Sequence, residues 1–294
     1  MFDLRYHVAS LAAVFVALVI GILVGVAISS NSSLSNPERK LLEEQKAELQ
    51  GKLGVASARA AELAQGQRAA AAFAQAGYPL VMQDRLRGKR IGLVVIGAPD
   101  PRVRGLVQAA LNDANALPTL RFRALKVPVD AAAMHGALAQ HPALAAVADP
   151  SQPAAVGREL GRELVTGRDT PLWNVLSGQL IVERSGGEKK PLDGVVLVRT
   201  AAAQEGATAR FLRGFYAGLA ATGAPLVGVQ VSAASPSALP TFRRDGISSV
   251  DDLELPVGRL ALVALLAGAP SGHYGLAEDD SALLPPLQAL PAGG

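Results

Sequence analysis

Residues 90–97 read RIGLVVIG, a short apolar run rich in valine and isoleucine. Such a run is typical of a strand that is buried on both faces of a parallel sheet. Residues 101–114 follow it with apolar positions on one helical face. Strand-like and helix-like runs then alternate as far as residue 272, which favours an open, mostly parallel, Rossmann-like sheet with helices on both faces. The fold class predicted for this part of the chain is therefore α/β.

The elements expected around this unit follow the same alternation. Further strands are predicted over residues 120–127, 144–148, 195–199 and 226–231. Further helices are predicted over residues 131–140, 154–165 and 208–221, and within 253–266. Residues 180–192 are interpreted as a loop or hairpin excursion. Residues 277–294 are rich in proline, alanine and glycine, so we expect a flexible tail there.

A second decisive feature is the apolar run at the N-terminus. Residues 11–28 read LAAVFVALVIGILVGVAI, and no charged residue occurs between Val8 and Pro37. Residues 8–28 would form about 31 Å of helix, which matches a hydrocarbon core of about 30 Å. We expect a single transmembrane anchor. The alternative is a cleaved secretory signal, with Arg5 as its basic start, but the apolar run is longer than such signals need.

Small residues recur at every fourth position of this run, at Ala13, Ala17, Gly21, Gly25 and Ser29. They share one helix face, and Gly21 with Gly25 forms a GxxxG pair that permits close helix contact in lipid. We expect this face to pack against another helix. The simpler alternative is that alanine and glycine are merely common here.

The segment after the anchor is rich in Glu, Lys, Leu, Ala and Gln, and Asn36-Pro37 suits a helix start. Leu42, Leu49, Leu53 and Leu63 fall in a heptad pattern that also includes Lys46, Ala56, Ala60, Gln67 and Ala70. This predicts a coiled-coil stalk that ends at Gly77-Tyr78-Pro79. A lone amphipathic helix packed on its own domain is the alternative.

These predictions divide the chain into five parts. They are an anchor over residues 1–36, a stalk over 37–77, a joint over 78–88, an α/β domain over 89–276 and a tail over 277–294. Together they predict a homodimer or hetero-oligomer formed through the anchor and the stalk. Arg39, Lys40 and Lys46 follow the anchor, and a simple count of flanking charge would place the C-terminal side in the cytoplasm, but long domains translocate largely regardless of charge. We expect the C-terminal domain to lie outside the cytoplasm, with the chain as a single-pass protein of the cell membrane.

The composition argues against several kinds of chemistry. The chain has no cysteine, so disulfides and cysteine-based metal sites are excluded, and a net charge of +3 gives no nucleic-acid footprint. Residues 97–101 read GAPDP where a dinucleotide fold would carry GxGxxG. His135 and His141 are interpreted as ordinary surface or loop residues. We assign no catalytic, cofactor-binding or metal-binding residues, and we expect no cofactor and no enzymatic activity.

Two polar clusters near the C-terminus have simple explanations. Asp251, Asp252 and Glu254 offer oxygen ligands for a hard cation, but we favour a helix N-terminus that attracts negative charge. Residues 243–245, Arg-Arg-Asp, are interpreted as a solvated turn. Copper(I) prefers cysteine and methionine, and beyond Met1 the chain offers only Met82 and Met134, which are far apart in sequence.

Two stretches carry a family likeness: FDLRYHVASLAAVFVALVIGILVG at residues 2–25, and GISSVDDLELPVGRLALVALLAG at 246–268, followed by GHYG at 272–275. With the stalk and α/β body between them, the chain resembles the actinobacterial copper transport protein B (MctB) family. The resemblance implies copper efflux or homeostasis. Related members look like division proteins that pair with a second membrane protein and influence peptidoglycan cleavage during cell separation, so the resemblance implies such a role as well. It supplies no catalytic or ligand residues.

Three functions follow as hypotheses. The first is a non-catalytic, dimerising scaffold of the cell envelope that docks a second membrane or envelope protein. The second is direct copper transport as an oligomeric channel component, although ligands for copper are not evident in the sequence. The third is an enzyme with a cryptic nucleotide or sugar pocket in the sheet.

Overall fold

The computed structural model describes residue 14 and residues 16–25, 36–118, 121–147, 152–186, 189–277 and 280–287. The chain divides into two compact units, Met1–Ala70 and Ala71–Gly294. In the apolar N-terminal run, residue 14 and residues 16–25 are helical with exposed side chains. The other residues of the predicted membrane span lie outside the described ones. No helix among the described residues is both long enough and apolar enough to cross a bilayer.

The stalk segment forms one helix, α1, over Asn36–Met82. It begins at the predicted start but passes through Gly77-Tyr78-Pro79, so the predicted end is wrong. Pro79 removes only one backbone donor. The last turn is held by other contacts: Met82 is fully buried, and the Gln83 N–H donates to the Pro79 carbonyl oxygen at 3.0 Å.

The described residues of the second unit contain seven strands and a series of helices. The strands are β1 Ile91–Ile96, β2 Arg121–Leu125, β3 Ile181–Ser185, β4 Gly194–Arg199, β5 Leu226–Val229, β6 Ser248–Val250 and β7 His273–Tyr274. The helices after α1 are α2 Pro101–Asp113, α3 Ala131–Ala139, α4 Pro153–Thr166, α5 Pro171–Val175, α6 Ser177–Leu180, α7 Gly206–Ala220, α8 Leu239–Arg244 and α9 Pro256–Leu266.

The strands form one sheet in the order β3-β2-β1-β4-β5-β6-β7. Every neighbouring pair is parallel except β2 and β3, which are antiparallel. The predicted α/β class with a mostly parallel sheet is therefore confirmed. The expected excursion over 180–192 contributes an edge strand instead, and most residues of β3 are exposed.

Two apolar cores lie on the two faces of the sheet. One contains side chains from α3, α4, α5, α7 and α8, and the other contains side chains from the end of α1, α2 and α9. Successive residues of β1 and β4 alternate between them: Val94 and Val195 belong to the first core, and Val95 and Val196 to the second. Because both faces are covered, these strands are apolar apart from Arg199 at the end of β4, as the apolar runs in the sequence indicated.

Helices α4 and α7 pack backbone to backbone through two glycine pairs. A Cβ atom on Gly157 would lie 2.1 Å from the Phe211 carbonyl oxygen, and one on Gly218 would lie 2.0 Å from the Arg158 carbonyl oxygen. Gly161 and Gly214 are equally crowded against the opposite backbone. Only glycine leaves room for this close approach of the two helices. Glycines four residues apart on each helix therefore form the contact between α4 and α7 inside the α/β domain.

Other expectations need correction. The strand predicted over 144–148 is wrong, because Pro142–Val147 form a 3₁₀ helix that follows a turn closed by the Leu144 N–H and the His141 carbonyl oxygen. The prediction of a flexible tail over residues 277–294 is wrong for residues 280–287. The Asp280 side chain is only 3% exposed, and Ala282 forms a bridge with Tyr274.

Candidate functional site

The strand order places a topological switch point between β1 and β4, where parallel α/β sheets usually bind ligands. In this protein the loops that follow β1 and β4 are hydrogen-bonded to each other at that point. The Thr200 hydroxyl donates to the Ala98 carbonyl oxygen at 2.8 Å, and the Thr200 and Ala201 N–H groups both donate to the Ile96 carbonyl oxygen at 3.1 Å. A Cβ on Gly97 would lie 2.6 Å from the Thr200 hydroxyl. The two loops are thus tied together where a phosphate would need open backbone.

A second candidate lies at the carboxyl ends of β6 and β7, and we call it the acidic corner: Asp251, Asp252, Asp280, Arg243 and His273. The Asp251 carboxylate accepts the Leu276 N–H at 2.9 Å and the Ala277 N–H at 2.8 Å. Asp252 also accepts the Leu276 N–H, at 3.3 Å. Both aspartates are buried, and their oxygens fasten the loop that follows β7.

Gly275 makes this fastening possible. Its φ is +147°, a conformation that L side chains rarely adopt. A Cβ at Gly275 would collide with Asp251 Oδ1 and lie 3.0 Å from Asp280 Oδ2. The carboxylates of Asp251 and Asp280 therefore approach the backbone at a position that only glycine can occupy.

The rest of the acidic corner is an ion pair and a polar contact. Arg243 Nη2 donates to Asp280 Oδ1 at 2.8 Å, and the Ser249 hydroxyl lies 2.9 Å from His273 Nδ1. Arg243 and Arg244 end helix α8, so the interpretation of residues 243–245 as a solvated turn is wrong. The ion pair anchors the segment around Asp280 to the domain.

Burial and crowding control the ionisation of these groups. Burial raises the pKa of Asp251 to about 6, and the hydrogen bond and charge of Asp252 and the charge of Asp280 add to the rise. Burial and then the nearby Arg243 cation lower the pKa of His273, while Asp280 opposes that change. The corner therefore holds carboxylates under mutual repulsion, relieved by backbone donors and one arginine.

Among the residues that the structure describes, no three histidine, cysteine, aspartate or glutamate side chains are grouped so that they could hold a metal ion. Glu254 turns away to accept the Ser232 N–H at 3.1 Å. The expected role of Asp251 and Asp252 at a helix start is also wrong, because α9 begins at Pro256 without a side-chain cap and their carboxylates bond the 276–277 amides.

The predicted stalk residues lie on α1 and are exposed: Leu42 is 51% exposed, Leu49 66%, Leu53 71% and Leu63 64%. Ala17, Gly21 and Gly25 of the predicted packing face lie in the helical residues 16–25, and nothing described would touch a Cβ at Gly21 or Gly25. Ala13 and Ser29 lie outside the described residues. The seam and this face remain predictions.

Sequence comparison now assigns the chain to a family. The model of the family described as "Copper transport outer membrane protein, MctB" matches residues 1–285. The chain belongs to the MctB family. No curated protein matches it. Membership confirms the suspected family and implies a role in copper transport or homeostasis.

In this MctB member, the C-terminal stretch that carried the resemblance, residues 246–268, meets the GHYG residues that follow it in the acidic corner. The paired aspartates follow β6, and the GHYG residues form β7 and the tight loop at Gly275. The sequence did not single out His273, Asp280 or Arg243 as neighbours of Asp251. The available signal was Gly275 after a short polar strand, since such a glycine marks close backbone approach.

Proposed function

We propose that this MctB-family chain is a membrane-anchored, non-catalytic assembly protein of the cell envelope. In this account the N-terminal helix anchors the chain in the cell membrane, and α1 pairs with α1 of another copy. The α/β domain lies outside the cytoplasm and docks a second membrane or envelope protein, and a role in cell division fits this arrangement. The exposed leucine seam of α1 is the observation that carries the proposal.

The seam supports pairing on energetic grounds. Burial of a leucine side chain contributes about 1.5–3 kcal/mol, and α1 carries four seam leucines that are each more than half exposed. Lys46 and Gln67 occupy seam positions too. Polar residues at such positions reduce stability but fix the register of paired helices. A helix that leaves this stripe in water is better explained by a partner helix than by solvent alone.

Cysteine crosslinking tests this directly because the chain contains no native cysteine. Ala60 lies in the predicted seam, and Ala58 lies on the opposite face of the same exposed helical segment. We expect Ala60→Cys to form disulfide-linked dimers under mild oxidation in membranes, while the matched control Ala58→Cys stays mostly monomeric. Equal crosslinking of both variants, or none of either, would contradict pairing through the seam.

Direct copper handling is the second candidate, and family membership favours it. Titration of the full-length chain with Cu(I) and Cu(II) separates the two candidates. The assembly proposal expects no binding tighter than about micromolar, because soft ligands are scarce in the sequence. A stoichiometric site of higher affinity would instead support direct copper transport as an oligomer.

A further inference from the structure

A cavity of about 640 Å³ lies beside the β2–β3 edge of the sheet, apart from the acidic corner. The loop between α4 and α5, residues of α5 and the residues after β3 complete its walls. Its ionised lining side chains are strongly biased in sign: five are cationic and, among the described residues, one is a carboxylate. They are Arg121, Arg123, Arg168, Arg184, Lys189 and Asp169. We call this cavity the arginine pocket.

The two inner arginines are fixed in place by carbonyl groups. Arg121 is only 3% exposed, and its guanidinium donates to the Leu164 carbonyl oxygen at 2.8 Å and to the Lys190 carbonyl oxygen. Arg123 Nη1 donates to the Ser185 carbonyl oxygen at 2.8 Å. These bonds to carbonyl oxygens hold both guanidinium groups in place on the wall of the pocket.

The fold brings these like charges together at a cost. Arg123 and Arg184 are register partners on β2 and β3, and like charges directly opposite each other destabilise a strand pair. Burial, followed by the charges of Arg121 and Arg184, lowers the pKa of Arg123 to about 10. An anion placed in the pocket would relieve this repulsion.

The outer cations are accessible to a ligand. Arg168, Arg184 and Lys189 are exposed. Lys189 reaches Asp169 at 3.2 Å, but both of these side chains are more than three-quarters exposed, so this ion pair is weak. Within the described residues, no carboxylate pairs with Arg168 or Arg184. The pocket thus combines inner cations that are held in place with outer cations that are exposed to solvent.

We propose that the arginine pocket binds a small, multiply charged phosphate ligand. Guanidinium groups match phosphate oxygens with paired hydrogen bonds, and several of them together select a polyanion over a single carboxylate. The volume exceeds what one phosphate fills and falls in the range of small-molecule sites. This proposal is independent of pairing through the stalk.

The test is calorimetric titration of the full-length chain in detergent with inorganic pyrophosphate at about 50 mM salt, where charge interactions are less screened. We expect saturable binding that Arg184→Gln and Arg168→Gln each weaken about tenfold, as loss of a charged hydrogen bond predicts. Arg184→Lys keeps the charge and should recover part of the affinity. The matched control is Arg210→Gln, which removes an exposed cation of α7 outside the pocket and should leave binding within about twofold.

A lipid headgroup and a soluble ligand could supply the same phosphate chemistry, so a second arm uses vesicles of anionic phospholipid. Vesicle binding that pyrophosphate displaces and Arg184→Gln abolishes assigns the pocket to a headgroup. Pyrophosphate binding without pocket-dependent vesicle binding assigns it to a soluble ligand. Absence of pyrophosphate binding at 1 mM, or equal weakening by Arg210→Gln and Arg184→Gln, would overturn the proposal.

Discussion

Substitution of Gly218 by alanine tests the glycine-mediated packing of α4 on α7. The added Cβ would lie 2.0 Å from the Arg158 carbonyl oxygen and 2.8 Å from its carbonyl carbon. Both are backbone atoms, which cannot rotate away as a side chain can. Since an ordinary contact is at least 3.4 Å, the two helices must separate locally by about 1.4 Å.

The energetic cost follows from this displacement. Overpacking of a core costs about 1–3 kcal/mol and occasionally more, and separation of the helices also loosens the contact between Trp173 and Phe215, whose ring centroids are 6.1 Å apart. The higher helix propensity of alanine offsets up to about 1 kcal/mol of this loss in the free energy of unfolding. We expect a net loss of about 2–3 kcal/mol, or about 5–10 °C in Tm for a domain of this size.

Urea unfolding followed by Trp173 fluorescence is the assay, because Trp173 is the single tryptophan and is buried against α7. The matched control is Gly105→Ala on α2, where nothing lies within 4 Å of the new Cβ. We expect that variant to gain about 0.5–1 kcal/mol. Equal unfolding midpoints for the Gly218 and Gly105 variants would refute the packing argument.

Other parts of the domain give further predictions. Burial raises the pKa of Glu163 to about 7 from 4.5, so the folded state holds this proton more tightly than the unfolded state. The stability that Glu163 contributes is full below pH 4.5 and is lost as pH rises to about 7; Glu163→Gln should remove this decline in urea midpoints measured by Trp173 fluorescence. Tyr78→Phe deletes the 2.9 Å hydrogen bond to Asp113 Oδ2, and the same assay should show a loss of about 1 kcal/mol. An exposed Ala203→Cys should react in intact cells with a maleimide that cannot cross the cell membrane, and protection until lysis would contradict the proposed orientation.

The central strands can be predicted well from the sequence because buried strands consist almost entirely of apolar residues. β1 and β4 are buried at every position, and both are apolar except for Arg199 at the end of β4. β6 and β7 have three and two residues and include serine and histidine, so neither has enough length for a periodic signal. Helix α8, with six residues including Pro240, is hidden for the same reason.

The candidate sites were harder to predict because they depend on contacts that are distant in sequence. The Asp251 carboxylate bonds amides 25 and 26 residues later, and Arg243 meets Asp280 across 37 residues. In the arginine pocket, Arg123 and Arg184 become neighbours only because β3 turns back antiparallel to β2. The spacing of residues along the sequence does not predict such long-range contacts. The heptad pattern of α1, by contrast, is visible in the sequence because its residues are only three or four positions apart.

The mass of the full-length chain in detergent tests pairing through the stalk most directly. Light scattering that separates the polypeptide from the detergent should give at least twice the 30.2 kDa chain mass. Leu49→Glu combined with Leu53→Glu should reduce that mass, because two charges would replace seam leucines that are 66% and 71% exposed on the isolated helix. A wild-type mass of 30.2 kDa across the concentration range would contradict the account.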